Sequence, residues 1–297
     1  MLIKPNDHYD LVETTLKTSS ELQRYFEEIE AKADEAGCDV YWRGQANSAW
    51  AVTSSLVRLM ANDELTDADL QKVENRILAE SKDWLVAERP KLRSNLEWLA
   101  YLQHNWVPTR LLDFSPDPYI ATFFAVEAMD EVDGRLFAVL LPRDDEVLDG
   151  SVDVNIGDIK SGSIKIFKPR AEVSPRLAAQ SGVFLLGKLP STQVHRWVWD
   201  EYVEENRQML KDEVSAIMSL PFYFTNPESA RRAESKSVTA YTARIHVNKA
   251  SIRRQLRKAG GGRSHLTPTT PVTHQTCYPD VDGMRRFSKI IINPTSL

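Results

Sequence analysis

The chain has 297 residues, of which 42% are hydrophobic and 27% charged, a composition typical of a soluble globular protein with a substantial core. Its formal net charge of −5 gives no overall case for nucleic-acid binding. Cys38 and Cys277 lack CxxC spacing, which favours reduced thiols in a cytoplasmic protein over a disulfide framework or a zinc site. No signal peptide is visible, and no apolar run approaches the ~20 residues of a membrane span, so we expect no membrane partner.

Helical patterns dominate the first half of the chain. A capping-box pattern at Ser20–Gln23 precedes a helix that should end at Gly37. A short β-rich strand is predicted over residues 39–43, followed by a helix that starts at Thr66. A third helix, with Leu96, Leu99 and Leu102 at helical spacing, should end at Val107-Pro108. Asp117 is a good N-cap for a strongly apolar helix, and Pro118 after it suits the first helical position.

Strand patterns dominate the second half. Strands are predicted over residues 136–142, 182–189 and 242–247, with helices over 198–214 and 251–260. This order favours an α+β fold with a small mixed or antiparallel sheet covered by helices. We expect an N-terminal segment (1–19) and one domain (20–297), in which a helical insertion at about 64–105 covers the sheet.

The stretch VYWRGQ, residues 40–45, brings polar groups to the end of an apolar strand. Arg43 there needs an anionic or carbonyl partner, because an unpaired buried charge costs several kcal/mol (roughly). Gly44 allows another backbone or a ligand to approach closely, and Gln45 adds a donor and an acceptor.

A second polar stretch, TRLLDFS at residues 109–115, lies just before the helix that starts at Pro118. Helix N-termini favour anions, so Arg110, Asp113 and Ser115 could form one pocket with Arg43, 70 positions before Asp113. A purely structural network is the alternative, in which Asp113 pairs with an arginine and Ser115 is a cap. The set carries more positive character than one ion pair requires, which favours an anionic ligand.

Other motifs are less informative. His104, at the end of the third helix, could balance the helix dipole or reach the same pocket. With no second His or Cys nearby, it does not indicate a metal site. The sequence contains no GxGxxG, GxxxxGK[ST] or GxSxG pattern, so dinucleotide-fold, P-loop and hydrolase-elbow sites lack support.

Five segments together resemble the FRG domain, named for a Phe-Arg-Gly motif in which Trp42 here replaces the Phe. They are VYWRGQ, SSLVR (54–58), LAYLQHNWVPTRLLDFSPDPYIATFFAVE (99–127), AAQSGVF (178–184) and YPDVDGM (278–284). The resemblance implies a bacterial or phage-associated protein, and the biochemical role of this family is poorly defined.

The order of the pieces also resembles, more weakly, the ADP-ribosyltransferase plan. That resemblance implies that Arg43 binds the pyrophosphate or ribose of NAD and that Ser115 leads into the central helix. Where the plan has a late glutamate, this chain has Gln180, whose amide can bind ribose hydroxyls but cannot act as a carboxylate base. Asp113 could supply the missing carboxylate.

The leading hypothesis is an ADP-ribosyltransferase-like protein that binds or processes NAD or a related nucleotide, as a toxin or phage-defence effector. NAD would be a substrate, and no cofactor or metal is implied. The candidate catalytic residues are Arg43, Asp113 and Gln180, and the candidate ligand-binding residues are Arg43, Gly44, Gln45, His104, Arg110, Asp113 and Ser115. The alternatives are a non-catalytic module that binds a protein or nucleic acid, and a structural ion-pair core with its function elsewhere.

Overall fold

The computed structural model describes residues 5–60, 64–85, 90–151, 153–190, 197–200, 205–228, 238–246, 248–258, 266 and 268–292. The helices are α1 (Pro5–Tyr9), α2 (Ser19–Ala36), α3 (Ser55–Met60), α4 (Asp67–Trp84), α5 (Asn95–His104), α6 (Pro118–Val126), α7 (Pro175–Ala179), α8 (Lys211–Ile217), α9 (Lys249–Leu256), α10 (His274–Cys277) and α11 (Val281–Ile292). The strands are β1 (Thr14–Leu16), β2 (Cys38–Gln45), β3 (Leu112–Phe114), β4 (Gly134–Pro142), β5 (Val147–Leu148), β6 (Ile164–Phe167), β7 (Val183–Gly187), β8 (Trp197–Asp200), β9 (Glu205–Gln208), β10 (Phe222–Phe224) and β11 (Val238–Ile245).

These elements form a mixed α+β protein with two small mixed sheets, which confirms the predicted fold class. The first sheet has the order β1-β11-β4-β2, and β10 also pairs with β11. The second has the order β3-β7-β6-β5, and β8 pairs with β9 in a separate hairpin. Each of the two larger sheets combines parallel and antiparallel pairs.

Side-chain alternation along the strands produces a layered core, since neighbouring residues on a strand face opposite sides of its sheet. Trp42 on β2 packs with α2 and α6, whereas its neighbour Tyr41 belongs to the core between the two sheets. On β7, Leu185 joins that inter-sheet core, and Phe184 packs with α4 and α5 on the far side. The order of layers is therefore helices, sheet, sheet, helices.

A backbone bridge joins the two sheets directly. Trp42 of β2 and Ser115, just after β3, exchange both hydrogen bonds, with N–O distances of 2.7 and 2.8 Å. This antiparallel bridge fixes the end of β2 beside the end of β3. It is the connection that brings the two polar stretches of the sequence together.

Helix starts follow the sequence signals in two cases and differ in one. Thr66 caps α4, where its side chain accepts a hydrogen bond from the backbone N–H of Asp69. Asp117 caps α6, with Pro118 in the first turn, as predicted. In α2 the capping box is formed by Thr18 and Glu21 instead of Ser20 and Gln23, since Glu21 accepts from the backbone N–H of Thr18. A carboxylate accepts this bond more strongly than an amide.

Two expectations about the layout were wrong. Residues 197–200 and 205–208 form the β8–β9 hairpin and residues 211–217 are helical, because the Trp-Val-Trp run of β8 favours a strand. The helices between residues 64 and 105 cover the second sheet, whereas α2 and α6 cover the sheet that carries Arg43. The predicted end of the helix over residues 251–260 lies outside the described residues.

Within the predicted N-terminal segment, β1 pairs in parallel with residues 243–245 of β11. The domain boundaries of 1–19 and 20–297 stay a prediction.

Candidate functional site

A cavity of about 380 Å³ opens where β2 and β3 meet. We call it the β2–β3 cavity. Its lining is mixed, with aromatic rings, three arginines and two acidic side chains: Trp42, Arg43, Gly44, Trp50, Gln103, His104, Trp106, Asp113, Phe114, Ser115, Ile120, Ala121, Phe124, Glu127, Arg176, Leu177, Gln180, Gly182, Phe184, Tyr278 and Arg286.

Arg43 contacts Asp113 at this junction. Its Nη1 donates to the backbone carbonyl oxygen of Asp113 at 2.7 Å and lies 3.6 Å from the carboxylate Oδ2. Burial lowers the pKa of Arg43, and the Asp113 carboxylate opposes that shift. Arg43 Nε is buried and has no hydrogen-bond partner among the described residues. A ligand that reached this nitrogen would therefore satisfy a buried cationic donor.

Glu127 is the second charged group with an unusual setting. It caps the C-terminus of α6, where the helix dipole disfavours a carboxylate, and its side chain is only 15% exposed. Its Oε2 accepts a 2.9 Å hydrogen bond from the Tyr278 hydroxyl, and Arg286 Nη1 lies 3.4 Å from Oε1. Burial raises the pKa of Glu127, with Arg286 and Tyr278 acting in the opposite direction. A carboxyl with a raised pKa in a cavity is suited to proton transfer.

The other two arginines of the cavity are compensated. Arg176 donates from Nε and Nη2 to Asp280, at 3.0 and 2.8 Å, and its Nη2 lies 3.2 Å from Asp282. Arg286 donates to Asp282 at 3.1 Å. These aspartates come from the YPDVDGM segment, which lines one wall of the cavity through Tyr278. The aspartates neutralise the arginines without lining the cavity themselves.

His104 belongs to the same wall. Its Nδ1 lies 3.0 Å from Ser174 Oγ, and its Nε2 lies 3.8 Å from Asp280. Burial lowers its pKa, Arg176 lowers it further, and Asp280 opposes both effects. His104 is thus favoured in the neutral form at this edge of the cavity.

Trp106 has a strained position at the rim. Its φ of 67° lies in the left-handed region, which costs a bulky L-residue about 1–2 kcal/mol. It follows the end of α5, where Val107 N donates to Leu102 O in a helix-terminating turn that usually has Gly. The indole is 65% exposed and lies 5.4 Å from the Arg286 guanidinium.

Six of the residues predicted from the sequence line the β2–β3 cavity: Arg43, Gly44, His104, Asp113, Ser115 and Gln180. Two of them also have clear structural tasks. A Cβ on Gly44 would lie 1.7 Å from Ala121 O, so this glycine admits the backbone of α6. The Gln180 amide Nε2 donates to Cys277 O at 2.9 Å, which ties the segment before β7 to α10.

Arg110 and Gln45 do not line the cavity, contrary to expectation. The guanidinium of Arg110 is 2.6 Å from Glu74 of α4, and both side chains are buried. Gln45 is buried and donates from Nε2 to Ala51 O at 3.0 Å. Both polar groups stabilise the fold around the cavity. Their buried partners, a helical glutamate and a loop carbonyl, have no distinct sequence signal.

Among the lining residues that were not predicted, four form ion pairs or hydrogen bonds at the cavity: Glu127, Arg176, Tyr278 and Arg286. Glu127 ends the long FRG-like string, and Tyr278 begins the YPDVDGM segment. Their pairing could not be found from the sequence, because 151 positions separate them. No three His, Cys, Asp or Glu side chains in the described ranges are grouped so as to hold a metal ion.

The fold and the cavity define a mixed α+β protein with a small-ligand-sized site between two sheets. Residues 38–134 match the family model of the FRG domain, which supports the resemblance that the sequence motifs predicted. That segment supplies β2, β3 and α6, and hence Arg43, Asp113 and Glu127. Searches of the curated proteins and of the solved structures found no match. Among the helices that the structure describes, none has the length and apolar character needed to cross a membrane.

Proposed function

We propose that the β2–β3 cavity binds a nucleotide-type anion, with NAD as the leading candidate, and that the chain is an ADP-ribosyltransferase-like protein. One observation carries the proposal. A single cavity is lined by Arg43, whose buried Nε has no hydrogen-bond partner in the part of the chain that the structure describes, and by Glu127, whose side chain is only 15% exposed.

Arg43 is suited to the phosphate end of such a ligand. Its Nη1 is held by the Asp113 carbonyl, which fixes the plane of the guanidinium, while Nε stays available. A guanidinium binds phosphate oxygens through charge-assisted hydrogen bonds, and desolvation in a cavity strengthens them. A phosphate oxygen would give the buried nitrogen the acceptor that it lacks.

Glu127 is suited to the ribose end. In ADP-ribosyl transfer the N-glycosidic bond of NAD breaks, nicotinamide leaves with the bonding electron pair, and positive charge develops on the ribose. An ionised Glu127 would stabilise that charge and then accept the proton released when the acceptor's nucleophile bonds to the ribose carbon. It would supply the carboxylate that Gln180 cannot, since the Gln180 amide is held by Cys277 O.

Asp113 is a second carboxylate of the cavity. Its side chain is 57% exposed and lies 3.6 Å from Arg43, so solvent reduces its effect on a developing charge. Glu127 is the better candidate for catalysis because its side chain is much less exposed and is hydrogen-bonded in place. The setting that we propose is a toxin or phage-defence effector acting in the cytoplasm, in keeping with the associations of the FRG domain.

The test combines binding with turnover. NAD, ADP and pyrophosphate are titrated into the wild-type chain, Arg43→Ala and Arg143→Ala, and nicotinamide release is measured with protein and nucleic-acid acceptors present. Arg143 is a matched control because it also pairs with aspartates, Asp34 and Asp39, but lies outside the cavity lining. We expect NAD to raise the Tm of the wild type and of Arg143→Ala but not of Arg43→Ala.

At a concentration 100 times its Kd, a ligand adds about 2.7 kcal/mol of stability, which a thermal scan resolves easily. If no nucleotide or pyrophosphate shifts the wild-type Tm and no nicotinamide appears, the proposal fails. A non-catalytic module for a protein or nucleic-acid partner then becomes the better explanation of the cavity. Binding without turnover would retain the nucleotide site and reject the transferase.

A further inference from the structure

Trp106 combines three properties, and the first two are costly for the fold. It holds left-handed backbone at the end of α5, its indole is 65% exposed, and it lines the β2–β3 cavity. A glycine or asparagine would adopt this backbone with less strain, and a polar side chain would suit the exposure better. Neither the turn nor the core therefore accounts for a tryptophan here.

The surroundings of the indole indicate what it does. The Arg286 guanidinium lies 5.4 Å from the Trp106 ring and 4.7 Å from the Tyr278 ring. It therefore contacts aromatic rings from two separate segments of the chain. Arg286 is itself held by Asp282, at 3.1 Å. The indole is thus supported through a cation–π contact while most of its surface stays open to solvent.

We propose that Trp106 is the base-stacking residue of the β2–β3 cavity, and that the ligand carries a planar heteroaromatic base in addition to its phosphates. This inference rests on the proposed nucleotide site. Arg43 binds the phosphate end, and the open indole surface packs against the base. A phosphate or sugar phosphate without a base would make only the first of these contacts.

The chemistry of nucleobases favours a base contact at Trp106 and a phosphate contact at Arg43. Every nucleobase has a π-face, and stacking on a tryptophan needs no particular pattern of hydrogen-bond donors and acceptors. An exposed indole on a constrained turn loses little conformational freedom on binding, because its backbone is already fixed. The strained backbone at Trp106 then favours ligand binding, although it lowers the stability of the fold.

The experiment separates base contacts from phosphate contacts. Dissociation constants for ADP and for pyrophosphate are measured by calorimetry with the wild type, Trp106→Asn, Trp106→Tyr and Trp84→Asn, together with the Tm of each protein. Trp84 is the matched control, since it is also an exposed tryptophan at a helix end but does not line the cavity.

We expect Trp106→Asn to weaken ADP binding about tenfold or more, the usual effect of losing one base–aromatic contact. Its affinity for pyrophosphate should be unchanged and its Tm equal to or above that of the wild type, because asparagine tolerates left-handed backbone. Trp106→Tyr should keep most of the ADP affinity, and Trp84→Asn all of it.

Two results overturn the inference alone: unchanged ADP affinity in Trp106→Asn, or an equal loss for ADP and pyrophosphate, which indicates a damaged cavity. If Trp106→Asn does not fold, the ADP affinity of Trp106→Tyr is the deciding measurement. A tenfold loss of that affinity contradicts the inference, because a tyrosine ring can also stack on a base. Failure of the wild type to bind either ligand overturns the nucleotide site and the stacking role together.

Discussion

Arg43 and Asp113 are 70 positions apart in the chain, yet a 2.7 Å hydrogen bond joins Arg43 Nη1 to the backbone carbonyl oxygen of Asp113. The contact uses one end of the guanidinium, and the buried Nε has no hydrogen-bond partner in the described ranges. A purely structural arginine would be expected to have its buried donors satisfied. Arg110 Nη2 is also buried without a partner in the described part of the chain, although Arg110 has a structural role. What distinguishes Arg43 is its place in the cavity lining, which supports a ligand at this position.

Replacing Arg43 by Lys should separate binding from stability. Lysine keeps the charge and can reach one acceptor, but it lacks the planar fork that holds a phosphate through two nitrogens. We expect Arg43→Lys to weaken NAD binding about tenfold or more while changing the free energy of unfolding by about 1 kcal/mol or less. Calorimetry and urea midpoints on the same protein measure the two quantities.

Arg143→Lys, at the exposed pair with Asp34 and Asp39, is the control and should change neither quantity appreciably. If Arg43→Lys loses stability but keeps normal affinity, the structural network is the correct explanation of Arg43.

Gly44→Ala should be strongly destabilising. A Cβ at this position would lie 1.7 Å from Ala121 O and 2.7 Å from Ala125 N, both backbone atoms of α6 that cannot move without shifting the helix. We expect a loss of about 3 kcal/mol or more in a urea titration, at the upper end of overpacking effects. The glycine of the RG pair is thus required for close contact between β2 and α6.

Gly157→Ala provides the comparison, because its new Cβ would meet only the Asn155 side chain, at 3.2 Å. It should change stability by about 1 kcal/mol or less. Equal effects of the two substitutions would contradict the close-contact role of Gly44.

The sequence predicts elements best where the signal is local. Asp117 with Pro118 correctly locates the start of α6, and the polar groups beside two apolar runs correctly place Arg43 near Asp113. Arg110 was assigned to the same pocket because it stands three residues before Asp113. Its partner, Glu74, is a buried helical glutamate 36 positions upstream, and nothing in the local pattern of α4 marks it as buried.

Long-range pairing explains what could not be predicted about the site. Glu127 looks like an ordinary helix-end residue until Tyr278 and Arg286, from the last part of the chain, close over it. No periodicity or cap signal links α6 to α11. Gln180 was predicted as a candidate catalytic residue because it stands where the ADP-ribosyltransferase plan has a late glutamate, but its amide is engaged by a backbone carbonyl that only the fold brings near.

Gln180→Glu should therefore destabilise the protein and not activate it. The substitution replaces the Nε2 donor with a carboxylate oxygen facing Cys277 O, which accepts at 2.9 Å in the wild type. Loss of this bond, with two acceptors opposed, should cost about 1–3 kcal/mol. The urea midpoint and nicotinamide release are measured on the same protein.

The control is Gln275→Glu, an exposed position on α10, which should leave stability nearly unchanged. Increased nicotinamide release by Gln180→Glu at unchanged stability would show that a carboxylate at 180 completes the site, and would count against Glu127.

Glu127→Gln should change the pH dependence of stability. Burial raises the pKa of Glu127 above its usual 4.5, so between pH 4.5 and its folded pKa the native state holds a proton that the unfolded state has lost. The wild type should therefore lose stability as pH rises through this window, by linkage. Glutamine cannot release a proton, so Glu127→Gln should lack this decline. Urea titrations from pH 4 upward compare the slopes, and parallel curves would contradict a raised pKa.

The same substitution should abolish turnover and preserve binding. Glutamine can still accept from the Tyr278 hydroxyl, so the wall of the cavity should stay in place, but an amide cannot stabilise a developing ribosyl cation or take a proton. We expect nicotinamide release to fall at least about 100-fold, as when one well-placed stabilising group is removed, with NAD affinity retained. Wild-type release should increase with pH as Glu127 ionises, because the carboxylate is the active form. Turnover that survives in Glu127→Gln, with an unchanged pH profile, would transfer the catalytic role to Asp113, which Asp113→Asn would then test directly.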